Sequence, residues 1–126
     1  MVFAWPVFAK EVTEVQTQSS FFVVAYNTPP EAPKQPSGGV WNSCVVFARY
    51  YTGRDDIRGN AGDLEATAQK PYVGGLVLTT ESKWGHVAVI RKIEGDTLYL
   101  IEGNWIAGQV STRSLDVFSP LIRGFK

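Results

Sequence analysis

Hydrophobic residues in this chain change their spacing once, from a helical period to a period of two. Over residues 42–53 the apolar positions recur at i, i+3, i+4 and i+7, which is the stripe of an amphipathic helix. These positions are Cys44, Phe47, Ala48 and Tyr51. Asn42 or Ser43 is a suitable N-cap, and Gly53 is a suitable C-terminal stop. The pattern predicts one well-defined helix that starts at Cys44.

After Pro71 the hydrophobic residues follow the alternation of half-buried strands. The predicted strands are Leu76–Thr80, His86–Ile93, Thr97–Asn104, Gln109–Ser114 and Leu121–Phe125. A short second helix is expected at Asp63–Gln69, ended by Pro71. One main helix followed by a meander predicts an α+β fold with an antiparallel sheet of five or six strands.

The first forty residues have a different character. Four prolines and two glycines lie within residues 27–39, which predicts an irregular connection. We therefore expect an N-terminal arm over residues 1–39 and a folded domain over residues 40–126. The apolar segment at residues 1–9 is either an N-terminal strand or the remnant of an export signal. The strand is favoured because a basic leader is missing.

Composition narrows the class of protein. Twelve basic and twelve acidic residues cancel, which argues against nucleic acid as the main partner. A single cysteine excludes an internal disulfide and a cysteine-based metal cluster. No apolar run approaches the roughly 20 residues of a membrane span. The four tryptophans either fill the core or form a stacking surface for an extended ligand.

The lone cysteine and the lone histidine are the candidate chemistry. Cys44 at the first turn of a helix would meet unpaired backbone N–H groups and the positive end of the helix dipole, both of which favour the thiolate. The same N–H groups can bind a developing oxyanion. His86, at the start of a predicted strand, would serve as the base and later protonate a leaving amine.

Two polar residues on the next strand are candidates to orient the imidazole. Glu102 and Asn104 are two positions apart and therefore face the same side. If His86 pairs with Asn104, Ala88 pairs with Glu102, and the connection is the three residues 94–96. A two-residue loop would turn the carboxylate to the opposite face. The site thus predicts a three-residue turn or a compensating bulge.

Each of these residues also has a purely structural interpretation. A cysteine on an apolar helix stripe is commonly just buried, and a single histidine is commonly part of the core. Glu102 is then a carboxylate beside a turn, and Asn104 a turn residue that tolerates a left-handed backbone. The joint pattern of thiol, imidazole and a same-face acid and amide favours chemistry.

These features resemble the CHAP domain family, the cysteine, histidine-dependent amidohydrolases/peptidases of the papain-like superfamily. The matching stretches are NSCVVFARYYTG at Asn42–Gly53, GNAGDLEATAQKP at Gly59–Pro71, WGHVAVIRKIEGDTLYLIEGNW at Trp84–Trp105, and the closing VSTRSL and IRGF. The resemblance implies an N-terminal helix that carries the nucleophile, packed on a twisted antiparallel sheet. It implies Cys44 as nucleophile, His86 as base, Glu102 as the orienting residue and Asn104 as a further polar member.

The chain departs from this family at the position before the cysteine. Many members carry Gln there, where its amide helps to stabilise the oxyanion, whereas this chain has Ser43. The oxyanion site would then use the Cys44 N–H with Asn42, Ser43 or another donor. Some members bind calcium upstream of the cysteine, but residues 27–41 contain only one acid, Glu31, so we expect neither a metal nor a cofactor. Four aromatic residues either line a substrate groove or pack in the scaffold: Trp41, Tyr72, Trp84 and Trp105.

The resemblance implies cleavage of an amide in bacterial peptidoglycan, either within the stem peptide or cross-bridge or between N-acetylmuramic acid and L-alanine. Peptidoglycan is then the partner, and the protein would act at the cell wall as a secreted enzyme or a phage lysin, as a monomer. Two alternatives stay open. One is an amidase for small peptide conjugates such as glutathione amides, and the other is a wall-binding module with weak turnover.

Overall fold

A five-stranded antiparallel sheet with one helix packed on it forms the described part of the protein. The computed structural model describes Gln35 and residues 39–126, so the arm expected at residues 1–39 lies almost wholly outside the described residues. The elements in chain order are α1 (Cys44–Thr52), a 3-10 helix (Ala61–Asp63), β1 (Leu76–Thr79), β2 (His86–Glu94), β3 (Thr97–Gly103), β4 (Val110–Asp116) and β5 (Ile122–Phe125). The strand order is β4-β3-β2-β1-β5. The predicted α+β class is confirmed.

Helix α1 begins and ends where its caps require. The Ser43 hydroxyl accepts a hydrogen bond from the Val46 N–H at 3.2 Å, which satisfies one of the unpaired donors of the first turn. Gly53 takes a left-handed conformation, with φ of 75°, and its N–H donates to the Arg49 carbonyl. The predicted start at Cys44 and the stop at Gly53 are therefore confirmed.

The sheet is buried on both faces around its central strand, β2. The first five residues of β2 are all buried, which is why this strand reads as a continuous apolar run after His86. One face packs against α1 in a cluster that includes Phe47, Ala48, Leu76, Leu78, Val87, Val89 and Ile101. The opposite face holds a second cluster of Val77, Ala88, Ile90, Leu98 and Leu100. No helix within residues 39–126 has the length and hydrophobicity needed to cross a bilayer.

The short helix expected at Asp63–Gln69 is wrong. A 3-10 helix ends at Asp63, and the chain then runs extended until Ala68 forms a bridge with Phe125. The Ala68 N–H donates to the Phe125 carbonyl at 3.0 Å. The Arg123 side chain donates to the carbonyls of two residues in this segment, Ala61 and Leu64. Backbone groups that a helix would have paired internally are thus bonded to β5, and this tertiary pairing overrides the local helix propensity.

The β2–β3 hairpin contains a bulge, one of the two arrangements predicted to put His86 and Glu102 on the same face of the sheet. Glu94 pairs with Thr97, so the connection is only two residues long. Farther along, Val89 pairs with Ile101, and the register shifts between these two regions at Arg91. The extra residue restores the pairing that a three-residue turn would have produced. The bulge alternative is confirmed.

Two glycines flank β2, and only one of them lies against another backbone. Gly85 and Gly95 both have a left-handed φ, of 75° and 58°. A Cβ on Gly85 would lie 2.6 Å from the backbone nitrogen of Gly62, whereas a Cβ on Gly95 would meet nothing within 4 Å. The close approach holds the start of β2, and therefore His86, against the 3-10 helix.

Gly85→Ala is expected to destabilise the fold more than Gly95→Ala. Both variants carry the left-handed strain of about 1–2 kcal/mol, but Gly85→Ala adds a clash with backbone that costs about 1–3 kcal/mol more. Urea unfolding of the two variants measures the difference. Equal losses of unfolding free energy would contradict the close contact between Gly85 and Gly62.

Candidate active site

The structure brings the only cysteine and the only histidine into direct contact. Cys44 is the first residue of α1, and His86 is the first residue of β2. The Cys44 thiol is hydrogen-bonded to the His86 side chain and to the backbone N–H of Val87. The start of the helix therefore lies beside the start of the central strand. Two residues that are 42 positions apart in the chain form one site.

The surroundings of Cys44 favour its thiolate. Burial acts to raise the pKa of the Cys44 thiol, whereas the hydrogen bond and the positive charge of His86 act to lower it. The backbone N–H groups of Val87 and of Cys44 itself lower the pKa further, so that it lies below its ordinary value. Cys44 is only partly buried. Val87 is a backbone donor that no sequence pattern indicates.

His86 is held on its other side by Glu102. The Nε2 atom of His86 lies 2.7 Å from Oε1 of Glu102, which leaves Nδ1 for the hydrogen bond to Cys44. Burial acts to lower the pKa of His86, but the hydrogen bonds and charges of Cys44 and Glu102 raise it to about 9. A protonated imidazole donates from both nitrogens, so it is suited to lie between a thiolate and a carboxylate.

Strand register explains why Glu102 reaches His86. The pairing of Val89 with Ile101, continued toward the start of β2, sets Ala88 beside Glu102. Alternation then places the side chains of His86 and Glu102 on one face of the sheet. Glu102 is fully buried and ends the row of apolar residues on that face. The structure therefore brings together three of the predicted catalytic residues: Cys44, His86 and Glu102.

Asn104 has a different position from these three. Its backbone is left-handed, with φ of 60°, and its Oδ1 accepts a hydrogen bond from the Gly108 N–H at 2.7 Å. The Asn104 N–H donates to the Gln109 carbonyl. The side chain thus closes the loop between β3 and β4, which is the turn role that asparagine commonly has.

Two charged residues at the site were not indicated by the sequence. Arg113 on β4 donates from Nε to the second carboxylate oxygen of Glu102, at 2.7 Å. Its two terminal nitrogens donate to both oxygens of Glu81, in the β1–β2 loop. Arg113 is 8% exposed, and a buried arginine is uncommon unless it is paired. The only sequence signal was that Arg113 lies in a predicted strand. Its pairing with Glu102 and Glu81 depends on which strands become neighbours in the sheet.

The residues beside Cys44 differ in their availability as oxyanion donors. The Ser43 hydroxyl is used as the cap of α1, where its oxygen accepts from Val46. Asn42 is exposed directly before it. The backbone N–H of Cys44 lowers the pKa of its own thiol.

Two of the four candidate aromatic residues lie away from the thiol. Trp41 is 4% exposed and packs edge-on against Phe47, with ring centroids 5.2 Å apart, so it belongs to the core. The Tyr72 hydroxyl donates to the carbonyl of Lys126, which also accepts from Arg54. Arg54 follows the C-terminal end of α1, so Tyr72 lies at the end of the helix opposite to Cys44.

The other two aromatic residues lie closer to the proposed chemistry. Trp84 is 59% exposed, immediately before Gly85 and His86. Trp105 is partly buried, and its Nε1 donates to Glu81 at 3.0 Å. The Trp105 ring lies 4.2 Å from the guanidinium carbon of Arg113, a cation–π contact. Within residues 39–126 no three histidine, cysteine or acidic side chains are grouped as metal ligands.

A thiol, an imidazole and a buried carboxylate in one hydrogen-bonded line form the arrangement of a cysteine hydrolase. The family model of the CHAP domain matches residues 34–104, which is more than half of the chain. The chain therefore belongs to the CHAP domain family, and membership implies a cysteine, histidine-dependent amidohydrolase. Comparison with curated proteins and with solved structures gave no match.

Cys44 is expected to react rapidly with iodoacetamide at pH 6, because His86 stabilises its thiolate. His86→Ala should slow this reaction at least about tenfold, since each unit of rise in thiol pKa lowers the thiolate fraction tenfold. Mass spectrometry of the intact protein measures the rate, and the single cysteine makes the assignment unambiguous. The urea-unfolded protein is the control, and equal native and unfolded rates would show an unactivated thiol.

Proposed function

We propose that this protein is a peptidoglycan hydrolase that cleaves an amide bond with Cys44 as the nucleophile. The observation that carries the proposal is the line of hydrogen bonds from Cys44 through His86 to Glu102, in a chain that belongs to the CHAP family. The bond is a peptide bond of the stem or cross-bridge, or the amide between N-acetylmuramic acid and L-alanine. The site of action is the bacterial cell wall, reached by secretion or as a phage lysin.

Acylation begins with attack by the Cys44 thiolate on the carbonyl carbon of the amide. The carbonyl oxygen becomes negative, and backbone N–H groups at the start of α1 are the nearest donors of the helix to that charge. His86 then donates a proton from Nδ1 to the amide nitrogen as the carbon–nitrogen bond breaks. The amine leaves, and the acyl group remains on sulfur as a thioester.

Deacylation uses the same imidazole in its neutral form. His86 accepts a proton from water at Nδ1, and the resulting hydroxide attacks the thioester carbon. The carbon–sulfur bond breaks, the carboxylic acid product leaves, and Cys44 returns to a thiolate beside a protonated His86. Glu102 remains hydrogen-bonded to Nε2 in both steps, and its charge stabilises the imidazolium each time it forms.

Exposed residues next to the nucleophile and the base are the proposed substrate contacts. Asn42 is exposed two residues before Cys44, and its amide is a candidate second donor to the oxyanion. Trp84 is exposed two residues before His86, where its ring would support an extended peptide or glycan. Asn104 would act on the site by shaping the β3–β4 loop through its bond to Gly108.

Cys44→Ala is expected to abolish the release of soluble fragments from purified peptidoglycan while leaving the fold intact, because the variant removes only the nucleophilic sulfur. Ser114→Ala, an exposed change on β4, is the matched control and should retain wild-type activity. Mass spectrometry of the fragments identifies the new termini and hence the cleaved amide. Lysis that survives Cys44→Ala would remove the mechanism.

The same experiment separates the two rival functions. An amidase for small conjugates would release nothing from sacculi but would hydrolyse a short amide substrate in a Cys44-dependent reaction. A wall-binding module would sediment with sacculi and release nothing from either substrate.

The activity is expected to decline above about pH 9, as His86 loses its proton. The sign follows from the raised pKa, because the imidazolium persists below that value. Above it, His86 can neither protonate the leaving amine nor stabilise the Cys44 thiolate. Glu102→Gln removes a negative charge from His86 and should move this decline to lower pH. The pH dependence of kcat/KM on a soluble muropeptide measures both. A rate that stays flat to pH 10 would contradict the assignment.

A further inference from the structure

We propose that Arg113 is a positioning residue of the active site, which holds Glu102 so that one carboxylate oxygen faces His86. We further propose that Glu81 is the counter-carboxylate that holds Arg113. The catalytic consequence rests on the proposed function, whereas the effect on Cys44 does not depend on any substrate. The family match ends at residue 104, so it does not extend to Arg113 on β4.

Glu102 is bound on both of its oxygens. Oε1 lies 2.7 Å from His86 Nε2, and Oε2 accepts from Arg113 Nε at 2.7 Å. Ser111 lies directly opposite Glu102 in the β3–β4 register and is 2% exposed, yet within the described residues its hydroxyl has no hydrogen-bond partner. The orientation of the carboxylate therefore depends on the arginine on one side and the imidazole on the other.

Arg113 is itself held in one orientation by three contacts. Its terminal nitrogens form a bidentate pair with Glu81, at 2.9 and 2.5 Å. The Trp105 ring lies against the guanidinium face, at 4.2 Å from Cζ. Nε then points at Glu102. The planar guanidinium can bind one carboxylate through its two terminal nitrogens and a second carboxylate through Nε. The single ammonium group of lysine cannot reproduce this geometry, so lysine is not equivalent here.

Glu81 is in turn built into the loop that precedes β2. Its carboxylate accepts hydrogen bonds from the Thr79 hydroxyl at 2.8 Å and from the Trp105 indole at 3.0 Å. Burial acts to raise the pKa of Glu81, but the hydrogen bonds from Arg113 and Thr79 and the charge of Arg113 lower it to about 2. Glu81 is therefore charged throughout the range in which His86 titrates.

The charges alternate along the whole line. Cys44 and Glu102 face His86 from α1 and β3, Arg113 faces Glu102 from β4, and Glu81 faces Arg113 from the β1–β2 loop. With Glu81 present, Arg113 is neutralised and can orient Glu102 without cancelling its charge at His86. Without Glu81, the positive charge of Arg113 would act on His86 and lower its pKa.

The test measures iodoacetamide alkylation of Cys44 at pH 6, together with kcat and KM on peptidoglycan fragments. Arg113→Lys keeps the positive charge but loses the guanidinium that binds both carboxylates. The rate of Cys44 alkylation and kcat should therefore both fall about tenfold, the effect of a one-unit change in the pKa of the thiol. KM should stay within about twofold, because Arg113 is buried and does not reach a substrate. Arg54→Lys, a paired arginine at the far end of α1, is the matched control with wild-type rates.

Glu81→Gln provides a second variant that retains Arg113. It should slow alkylation and move the alkaline decline of kcat/KM to lower pH. A merely structural Arg113 would lower the melting temperature and leave alkylation of the folded protein unchanged. Wild-type alkylation rates in folded Arg113→Lys, or in Glu81→Gln should Arg113→Lys not fold, would overturn the inference. If the wild type cleaves no peptidoglycan but the variants slow alkylation, the positioning role stands and the proposed substrate is wrong.

Discussion

The hydrogen bond between His86 and Glu102 is the interaction on which the rest of the site depends. It places a charged pair in the interior of a small domain, where an isolated charge would be strongly unfavourable. Each buried charge therefore needs a partner of opposite sign, and the partners form a line that begins at a thiol and ends at Glu81. The site is consequently more than a thiol with a neighbouring base. The imidazole keeps its proton because the charges around it are balanced and fixed in place.

The backbone supplies the precision that the side chains need. Hydrogen-bond reach between Cys44 and His86 requires the start of a helix and the start of a strand to meet at one point. Capping by Ser43 fixes the start of α1, and the close approach of Gly85 to Gly62 fixes the start of β2. The bulge at Arg91 corrects a register that would otherwise have turned Glu102 away. All three devices are local, yet each acts on the position of a side chain that takes part in the proposed chemistry.

The sheet extends the site beyond the residues that the family model matches. The family match covers α1 and the hairpin that carries His86 and Glu102, and it ends before β4. Strand β4 pairs with β3 over seven residues and adds Arg113 to the buried face. A strand outside the family match thus completes the environment of the Glu102 carboxylate. The loop before β2 contributes in the same way, because Glu81 lies within it.

The sequence by itself determined the main helix, the five strands and the three residues of the hydrogen-bonded line, since caps, periodicity and lone reactive residues are local signals. It also required a bulge or a longer turn, because strand alternation admits no other way to put His86 and Glu102 on one face. Tertiary structure alone decided that residues 64–68 extend along β5, that Trp41 is core and that Tyr72 lies far from the thiol. It alone paired Arg113 with Glu102 and Glu81. Those outcomes depend on which strands become neighbours, and contacts between distant segments leave no pattern along the chain.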